Sequence, residues 1–544
     1  MKRWNGWGNL DRDYPVPPAA LTYLTNYLGP LDPTPDVAKE TVLAAVKGSH
    51  LPAHPLVDTS AETRLAHARG QSLPDWVDMR CGLTNTFPDG VAFPESDEDV
   101  RNLLQYAHDF GAHVIPYGGG TSVVGHINPP QSDAPILTLS LEKMARLLDL
   151  DETSRLATFQ AGVPGPQLER QLKVHGYTLG HFPQSFEYST LGGWIATRSS
   201  GQQAYHYGRI EQLFAGGSME TPRGRLEIRA VPASAAGPDV REMILGSEGR
   251  LGVITQAKVR VRSVPEAEAF FGVFFASREE GIDAVREIAQ NEIPVSMLRL
   301  SDPLETQTTL ILSGKNWIGR LDRGLRLMGY GEARCLLLFG VTGSRHLFHR
   351  TRHEVAALCR KHGGLLLGTV MGHAWQKSRF ISPYLRNTLW ERGVAIDTME
   401  TALPWSQVCE ATRAIPQSIT AAMAKHNERV LVFTHLSHVY RDGASIYVTY
   451  LFRRTTDPYE LLARWRDMKH NASVTVQKFG GTISHQHGVG MDHAAYLPAE
   501  KGALGIEVIR AICKSLDPQG MMNPGKLMGH ETGESYGMDS WLAR

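Results

Sequence analysis

The sequence predicts a mixed α and β protein of two or three domains, and three observations carry this prediction. The chain has 544 residues, more than one ordinary hydrophobic core organises. Between residues 114 and 265, short apolar runs of strand type alternate with glycine-rich loops. From about residue 270 to about 480, amphipathic helical patterns alternate with strands, which is typical of a second α/β domain.

The predicted elements follow in chain order. Residues 1–85 combine proline-rich turns with short helical patterns. The segment Ser96–Gly111 predicts a helix, because Ser and acidic residues begin it, its apolar residues recur at helical spacing, and Gly ends it. Strands are predicted by HVIPY, which runs into a tight loop, and by ILTLS, ATFQAG and GVITQAKVRVRSV. After Pro265 a helix is predicted by SREEGIDAVREIAQN and a strand by SIYVTYLF; glycine-rich sequence resumes at Gly480, before a last helix over AEKGALGIEVIRAICKSLD.

Composition excludes several classes of protein. The chain carries 56 basic and 56 acidic residues, which argues against broad nucleic-acid binding. Its five cysteines are widely spaced and form no CxxC pair, so we expect free thiols in a reducing compartment. No apolar run approaches the roughly 18–20 residues of a membrane span, and the N-terminus lacks the apolar core of a signal peptide. We therefore expect a cytoplasmic enzyme.

The loop PYGGGTSVVGH, Pro116–His126, is the first candidate ligand site. Three consecutive glycines contribute no side chain to packing, so their use indicates that a ligand approaches bare backbone. Val123 stands where a Rossmann fingerprint needs its third glycine, and no Lys follows Gly125 as a Walker loop requires. Free N–H groups beside the hydroxyls of Thr121 and Ser122 suit a pyrophosphate held without a metal. A plain turn remains the alternative.

Two later stretches strengthen the ligand hypothesis. The stretch Phe182–Gly224 places Gly192, Gly193 and Gly201 beside segments rich in Ser and Thr. The stretch ILGSEGRLGVIT, Ile244–Thr255, ends in a predicted strand. Three such loops in one predicted domain indicate a long, polar cofactor that lies extended across it.

These loops, in this order, resemble the flavin domain of the vanillyl-alcohol oxidase superfamily. The resemblance is carried by PYGGGTSVVGH, STLGGWIATRSSG, YGRIEQL, TPRG and GSEGRLGVIT. It implies an α+β fold in which FAD lies between two subdomains, an α/β cap domain covers the isoalloxazine ring, and the chain returns to the FAD-binding domain. We accordingly expect an N-terminal segment over 1–85, the FAD-binding domain over 86–266, the cap over 267–479 and the returning C-terminal segment over 480–544.

The same resemblance implies which residues contact FAD. At Gln184 this sequence has PQS, where PDS is commoner in the family. This difference affects only a flavin contact. No His or Cys is firmly placed for a covalent flavin link, although His126 beside the first loop leaves that open. The expected FAD contacts are Pro116, Gly118, Gly119, Gly120, Thr121, Ser122, Pro183, Ser185, Ser189, Thr190, Gly192, Gly193, Thr197, Glu248, Gly252 and Ile254.

Further motifs resemble the alkyldihydroxyacetonephosphate synthase family within this superfamily. RWNGWG near the start matches it, and so does GGTISHQHGVG, Gly480–Gly490, except that Gln486 replaces the middle of three histidines. ASIYVTYLF resembles the strand of the family's catalytic tyrosine, which falls on Tyr447. YLRN with METALPW places the substrate-binding arginine at Arg386, and SMLRLSD places another family arginine at Arg299.

The resemblance implies a reaction that forms an ether lipid precursor. The acyl chain of acyl-dihydroxyacetone phosphate is exchanged for a fatty alcohol without net redox change, with the flavin as nucleophile and a base that removes a proton. Arg386 can form two parallel bonds to the substrate phosphate. His485 and His487, two apart in a predicted strand, point to one face, where Tyr447 on a neighbouring strand can meet them. Histidine is the natural base for the proton, and the tyrosine can serve if cationic neighbours lower its pKa. We expect these three residues to be catalytic, and Gln486 leaves the identity of the acid/base group open.

Alternatives stay open for these residues and for the function. Tyr447 can be a packed strand residue and Arg386 a surface salt bridge. The HxH pair, with His435 and His438, offers metal ligands, but neither Cys nor a carboxylate lies close by, and we expect no metal. The competing function is an FAD-linked dehydrogenase or oxidase of a 2-hydroxy acid such as lactate or glycolate. A third is a flavin-binding protein without catalysis.

The expected partners are small lipid substrates, acyl-dihydroxyacetone phosphate and a fatty alcohol. Because a long-chain alcohol comes from a membrane and the sequence predicts no spanning helix, we expect peripheral contact with a bilayer. The family implies a homodimer, and no nucleic-acid partner is expected.

Overall fold

The computed structural model describes residues 2–312 and 318–529, and residues 530–544 of the predicted C-terminal segment lie outside this description. The first sheet has the strand order β1-β2-β4-β3, in which β2, β4 and β3 are parallel and β1 is antiparallel to β2. Its central strand is buried throughout, as the continuous apolar run ILTLS requires of a covered parallel strand. The strands are β1 Val57–Asp58, β2 Gly90–Ala92, β3 His113–Tyr117 and β4 Ile136–Ser140.

The second sheet is antiparallel, with the order β5-β6-β10-β8-β9, and a short pair, β7 and β11, lies outside it. It shares one hydrophobic core with the first sheet, so the two sheets form a single packed unit. The strands are β5 Leu147–Asp151, β6 Leu156–Gln160, β7 Tyr177–Thr178, β8 Phe214–Thr221, β9 Gly224–Ile228, β10 Val253–Arg260 and β11 Arg262–Ser263.

The third sheet has seven antiparallel strands in the order β15-β12-β14-β13-β17-β18-β16. Successive side chains along each strand point to opposite faces of this sheet, which therefore separates two hydrophobic cores. Phe271 and Phe275 pack into the larger core, whereas Phe270 and Phe274 pack into the core on the opposite face. The strands are β12 Ala267–Phe275, β13 Met297–Ser301, β14 Cys335–Gly343, β15 Leu365–Leu366, β16 Val394–Pro404, β17 Val430–Val439 and β18 Gly443–Arg453.

The helix predicted over Ser96–Gly111 is confirmed as Asp97–Asp109. Ser96 and Asp99 form a reciprocal capping box at its start, and Gly111, just past its end, has a φ of +61°. Among the described residues, no helix is long and apolar enough to cross a bilayer. The helices are α1 Pro18–Leu28, α2 Lys39–Ala44, α3 Ala61–Ala66, α4 Leu73–Cys81, α5 Asp97–Asp109, α6 Gly165–Lys173, α7 Leu191–Thr197, α8 Ala204–Tyr207, α9 Ile210–Leu213, α10 Arg241–Ile244, α11 Arg278–Gln290, α12 Pro303–Leu312, α13 Ile318–Leu327, α14 Arg345–Lys361, α15 Val370–Ser378, α16 Ser382–Glu391, α17 Trp405–Ala424, α18 Pro458–Lys478 and α19 Leu497–Leu516, with a 3-10 helix at Ala494–Tyr496.

The C-terminal part of the chain returns to the first sheet. The N–H of Val114 on β3 donates to the carbonyl of Met521, and the N–H of Asn523 donates back to the carbonyl of Val114, both at 2.8 Å. Residues 481–490 form an irregular loop, so the strand predicted for His485 and His487 is wrong. Positive φ angles of the loop glycines, 83° at Gly488 among them, interrupt an extended conformation there.

Candidate active site

A cavity of about 780 Å³ is lined by residues of both N-terminal sheets and of the seven-stranded sheet. This volume is typical of sites for small molecules and cofactors. All sixteen residues expected to contact FAD line it, as do Arg299, Arg386, Tyr447 and His487. The structure therefore brings the three glycine-rich stretches to the same space as most of the predicted catalytic and substrate-binding residues.

The glycines of the first loop are needed for contact between loops. A Cβ at Gly119 would lie 1.9 Å from the carbonyl oxygen of Tyr188, and one at Gly118 would lie 2.4 Å from Oγ1 of Thr190. A Cβ at Gly193, in contrast, meets only Oγ1 of Thr190, at 3.3 Å. The absence of side chains at Gly118 and Gly119 thus lets the first glycine-rich loop pack against Tyr188 and Thr190 of the second. The absence of a side chain at Gly193 keeps the cavity itself open.

Unpaired polar atoms in this part of the cavity fit a polar cofactor. The hydroxyls of Ser200 and Ser247 and the side-chain carbonyl of Gln202 are buried without a hydrogen-bond partner in the protein, and all three residues line the cavity. Buried polar groups are nearly always paired, so these atoms suit a ligand that supplies donors and acceptors. FAD has both along its ribityl and pyrophosphate parts, and the residues present fit it.

Glu248 connects the cofactor side of the cavity to the C-terminal segment. Its carboxylate accepts hydrogen bonds from the backbone N–H groups of Val489 and Gly490, at 2.5 and 2.8 Å. The side-chain amide of Asn523 donates to the Glu248 carbonyl at 2.7 Å. Glu248 therefore lines the cavity as predicted, while its carboxylate holds the loop that follows the His-x-His motif.

Tyr447 lies on the cavity wall between two other functional candidates. On the sheet it is the register partner of Glu400 on β16 and of His435 on β17. Its ring stacks on His435 with centroids 5.1 Å apart and meets His487 edge-on at 5.6 Å. Burial raises the pKa of the Tyr447 hydroxyl, and Glu400 acts in the same direction. The condition under which Tyr447 could act as the base, a pKa lowered by cationic neighbours, is therefore not met, because burial outweighs the nearby Arg299.

Arg299 is held by a buried carboxylate. Its Nη2 donates to Oε1 of Glu305 at 2.8 Å, and Nδ1 of His435 lies 2.9 Å from the same oxygen. Although burial alone would raise the pKa of Glu305, the charge of Arg299 and the His435 imidazole together lower it to about 2. Arg299 therefore lines the cavity as one member of an Arg–Glu–His cluster.

Arg386 presents a free edge of its guanidinium group. Its Nη1 donates to the carbonyl of Gln71, and the group lies over the Trp76 ring, 4.3 Å from the centroid. Nε and Nη2 are shielded from solvent and have no hydrogen-bond partner in the protein. Burial lowers the Arg386 pKa to about 10, so the group is a cation at neutral pH. The alternative of a surface salt bridge is wrong, and the two adjacent N–H groups are arranged to bind an oxyanion in bidentate fashion.

The two histidines of the HQH motif occupy different environments. His487 and Gln486 line the cavity, whereas the His485 ring lies behind the wall. His485 Nε2 is 2.5 Å from the Tyr440 hydroxyl and from Arg209 Nη1, and its ring lies 4.9 Å from that of His438. Tyr447 therefore meets His487 but not His485, because the motif is a loop rather than a strand. Burial lowers the pKa of both imidazoles.

A carboxylate that sequence reasoning missed lies between these histidines. Glu400, on β16, is fully buried, and each imidazole Nδ1 is 3.8 Å from one of its oxygens. The expectation that no carboxylate lies near the HxH pair is therefore wrong: Glu400 is distant in sequence and reaches the pair through strand register. In the described part of the chain, no group of three His, Cys, Asp or Glu residues is arranged to hold a metal.

The rest of the cavity wall is apolar. Its apolar side chains come from strands of the seven-stranded sheet and from helices α12, α15 and α16. We refer to these residues as the apolar wall: Met297, Leu310, Leu336, Leu338, Met371, Trp375, Leu385, Leu389, Ile396, Phe433 and Leu451.

The fold and this cavity define an FAD-dependent enzyme of the FAD-linked oxidase class. The family described as "FAD binding domain" matches residues 88–228, and "FAD linked oxidases, C-terminal domain" matches residues 264–527. In fold, the chain is similar to substrate-bound p-cresol methylhydroxylase, with a TM-score of 0.67 at 14% identity over 92% of this chain and 99% of that one. The predicted α+β fold of the vanillyl-alcohol oxidase type is confirmed, and FAD is the cofactor.

The relatives also identify the family. The chain is 32% identical to alkyldihydroxyacetonephosphate synthase of Dictyostelium discoideum over 84% of this chain and 76% of that protein. A solved structure of an alkyldihydroxyacetonephosphate synthase is similar with a TM-score of 0.83 at 27% identity, over 96% of this chain and 98% of that one. The mitochondrial D-lactate dehydrogenase [cytochrome] of Arabidopsis thaliana is more distant, 26% identical over 81% of this chain and 73% of that protein. The chain belongs to the alkyldihydroxyacetonephosphate synthase family.

Proposed function

We propose that this protein is an FAD-dependent transferase that exchanges the acyl chain of acyl-dihydroxyacetone phosphate for a fatty alcohol. The bond between the substrate carbon and the acyl oxygen breaks, a bond to the alcohol oxygen forms, and the alcohol proton leaves with the fatty acid. One observation carries the proposal: a single cavity contains the glycine-rich loops, the free guanidinium edge of Arg386 and the apolar wall. A phosphorylated lipid needs a cation for its phosphate and an apolar surface for its chain, which Arg386 and the apolar wall provide. Lactate or glycolate, in contrast, would leave the apolar wall uncovered.

Arg386 binds the substrate phosphate in this proposal. Its Nε and Nη2 donate two parallel hydrogen bonds, and the Trp76 ring beneath it fixes the plane of the guanidinium group. Arg299 adds positive potential to the same wall, although Glu305 compensates its charge.

His487 and Tyr447 handle protons in this proposal. When bound, the flavin supplies the nucleophilic ring nitrogen of the exchange. His487 is neutral because burial lowers its pKa, and the Glu400 carboxylate favours the proton on Nδ1. Nε2 is therefore the base that removes a proton next to the substrate carbonyl, and it returns a proton to the same carbon once the alcohol oxygen has bonded. The Tyr447 hydroxyl stays protonated and donates a hydrogen bond to the departing carboxylate.

The test supplies the purified holoenzyme with acyl-dihydroxyacetone phosphate and labelled hexadecanol. We expect labelled alkyl-dihydroxyacetone phosphate and free fatty acid, without lasting bleaching of the oxidised flavin under anaerobic conditions. Anaerobic reduction of the flavin by lactate or glycolate, with no ether product, would contradict the transferase and favour the dehydrogenase.

The remaining parts of the proposal concern the linkage of the flavin, the domain boundaries, the assembly and the location of the protein. We propose non-covalent FAD, because both ring nitrogens of His126 lie within 3.1 Å of protein oxygens, on Ser122 and Glu248. We propose the domain division 1–85, 86–266, 267–479 and 480–544, supported by the start of β12 at Ala267. We further propose a cytoplasmic homodimer that contacts membranes peripherally to obtain its lipid substrates. Acid precipitation that releases FAD, sedimentation velocity and co-sedimentation with phospholipid vesicles test these statements.

A further inference from the structure

We infer that Glu400 is a positioning residue for the transferase reaction, one that holds the HQH loop and compensates the charge that His487 acquires when it accepts the substrate proton. The inference rests on the proposed function, in which His487 is the base. It assigns a role to a residue that contacts neither the cavity nor, in the proposal, the substrate.

The first role follows from hydrogen bonds to the loop backbone. Oε1 of Glu400 accepts from the N–H groups of Gln486 and His487, at 2.5 and 2.7 Å. These are the two loop residues whose side chains line the cavity. Because β16 pairs with β18 along its whole length, Glu400 fixes the HQH loop at the level of Tyr447.

The second role follows from the charge of Glu400. Two backbone N–H groups can be satisfied by an uncharged carbonyl oxygen, so they do not explain why the chain buries a carboxylate at 0% exposure. Oε2 has no hydrogen-bond partner, and the imidazoles of His485 and His487, each 3.8 Å away, are the groups beside this carboxylate that can become cationic. Burial alone would raise the pKa of Glu400, but the positive charge that His487 carries once protonated and the backbone N–H donor of Gln486 lower it, so the carboxylate is ionised. An ionised carboxylate beside a base that becomes cationic stabilises the proton-transfer step.

His485 is not the imidazole of this pair that takes up the substrate proton. Arg209 can only donate, so its Nη1 makes His485 Nε2 an acceptor and places the His485 proton on Nδ1, toward Glu400. The Arg209 Nη2 group also donates to the carbonyl of His485 at 2.9 Å. His485 is thus held neutral, and His487 is the imidazole of the pair that is able to take up a proton from the cavity.

The pH dependence of kcat/KM distinguishes this role of Glu400 from a purely structural one, because it reports the pKa of His487. Glu400 and Asp397 raise the pKa of His487, while burial, Lys469 and His126 lower it. Removal of the Glu400 charge therefore lowers the pKa of His487, and the acid limb of kcat/KM moves to lower pH. The titratable and charged groups around His487 are Glu400 and Asp397 on β16, Tyr447 on β18, Lys469 on α18, His126 after β3, and His485 and His493 on its own segment.

The experiment compares the wild-type holoenzyme with Glu400→Gln, which retains an oxygen for the two N–H groups and removes the charge. We expect unchanged FAD content and KM, kcat reduced about 10- to 100-fold, and an acid limb at lower pH. Glu400→Asp keeps the charge and should recover part of kcat and the wild-type acid limb. The matched control is Glu220→Gln. Glu220, on β8 of the second sheet, is equally buried but pairs with Arg101 on helix α5, so the kinetics of this variant should equal those of the wild type.

Several outcomes would overturn the inference. The inference is contradicted if the Glu400→Gln enzyme has the wild-type kcat and acid limb. It is also contradicted if kcat falls equally in Glu220→Gln. If Glu400→Gln fails to fold, Glu400→Asp decides, because a displaced acid limb in that variant contradicts a charge role. NMR titration of ¹⁵N-labelled histidines separates this inference from the proposed function: a wild type without ether product contradicts the function, whereas an unchanged His487 titration in Glu400→Gln contradicts the role of Glu400.

Discussion

Among individual residues, burial sets the protonation states that the reaction needs. It keeps His487 neutral and Tyr447 protonated, while the Arg386 pKa, lowered to about 10, still leaves that side chain cationic. Glu305 moves the other way, because Arg299 and His435 hold its pKa at about 2. The cavity thus presents a neutral base, a hydroxyl donor and a cation at the same pH.

Tyr447→Phe tests the hydroxyl donor. The ring contacts with His435 and His487 survive this change, so we expect normal FAD binding and stability. Turnover should fall by about 10²–10³-fold, because the hydrogen bond to the departing carboxylate is lost. Product formation and the flavin absorbance spectrum are measured together, and turnover within a few-fold of wild type removes Tyr447 from the mechanism.

Arg386→Lys tests the bidentate phosphate site. A lysine restores the charge but not two adjacent donors in one plane, and it loses the contact with Trp76. We expect kcat/KM for acyl-dihydroxyacetone phosphate to fall by roughly 10- to 100-fold, equivalent to about 1.4–2.8 kcal/mol, mainly through KM. Arg352→Lys on α14, outside the cavity, is the control; equal kinetics for both variants would contradict the assignment of Arg386.

Among secondary-structure elements, close approach of loops explains the glycines better than the ligand alone does. The sequence indicated a ligand behind PYGGGTSVVGH, but Gly118 and Gly119 are required first by contact with residues 188–190. The helix at Asp97–Asp109 was predictable because its capping box and apolar spacing are local. The HQH loop was not, because alternate spacing of two histidines does not distinguish a strand from a loop with glycines at positive φ.

Gly193→Leu and Gly119→Val separate the two uses of glycine. A side chain at Gly193 enters the cavity, so we expect a folded protein without FAD. A side chain at Gly119 meets the Tyr188 carbonyl, so we expect a lower thermal midpoint together with FAD loss. Flavin absorbance and calorimetry of the apoproteins distinguish them, and a fully yellow Gly193→Leu protein would contradict the position of FAD.

For the whole molecule, the cavity joins two separately packed halves. The N-terminal sheets contribute the cofactor loops, the seven-stranded sheet contributes the proposed catalytic wall, and the C-terminal segment packs back on the N-terminal half through Glu248 and Val114. The apolar wall belongs to the seven-stranded sheet and to helices α12, α15 and α16, so we expect these elements to limit the length of the lipid chain.

Ile396→Trp tests the apolar wall. Ile396 lines the cavity from β16, and a larger ring there shortens the space for an alkyl chain. We expect turnover with hexadecanol to fall relative to turnover with octanol, without loss of FAD. The control is Val174→Trp, at the residue that follows helix α6 at its C-terminus, whose side chain is 80% exposed and does not line the cavity. An unchanged ratio of the two alcohols would contradict a lipid chain at this wall.

By itself the sequence determined the family, the cofactor and the loops that line the cofactor side of the cavity, because glycine motifs, caps and apolar spacing are encoded over a few neighbouring residues. It also indicated Arg386, Tyr447 and His487, all of which the fold brings to one cavity. Only the tertiary structure decided that His485 lies behind the wall and that Glu400 stands between the histidines. The physical reason is strand register: β16, β17 and β18 align Glu400, His435 and Tyr447 across separations that no local pattern records.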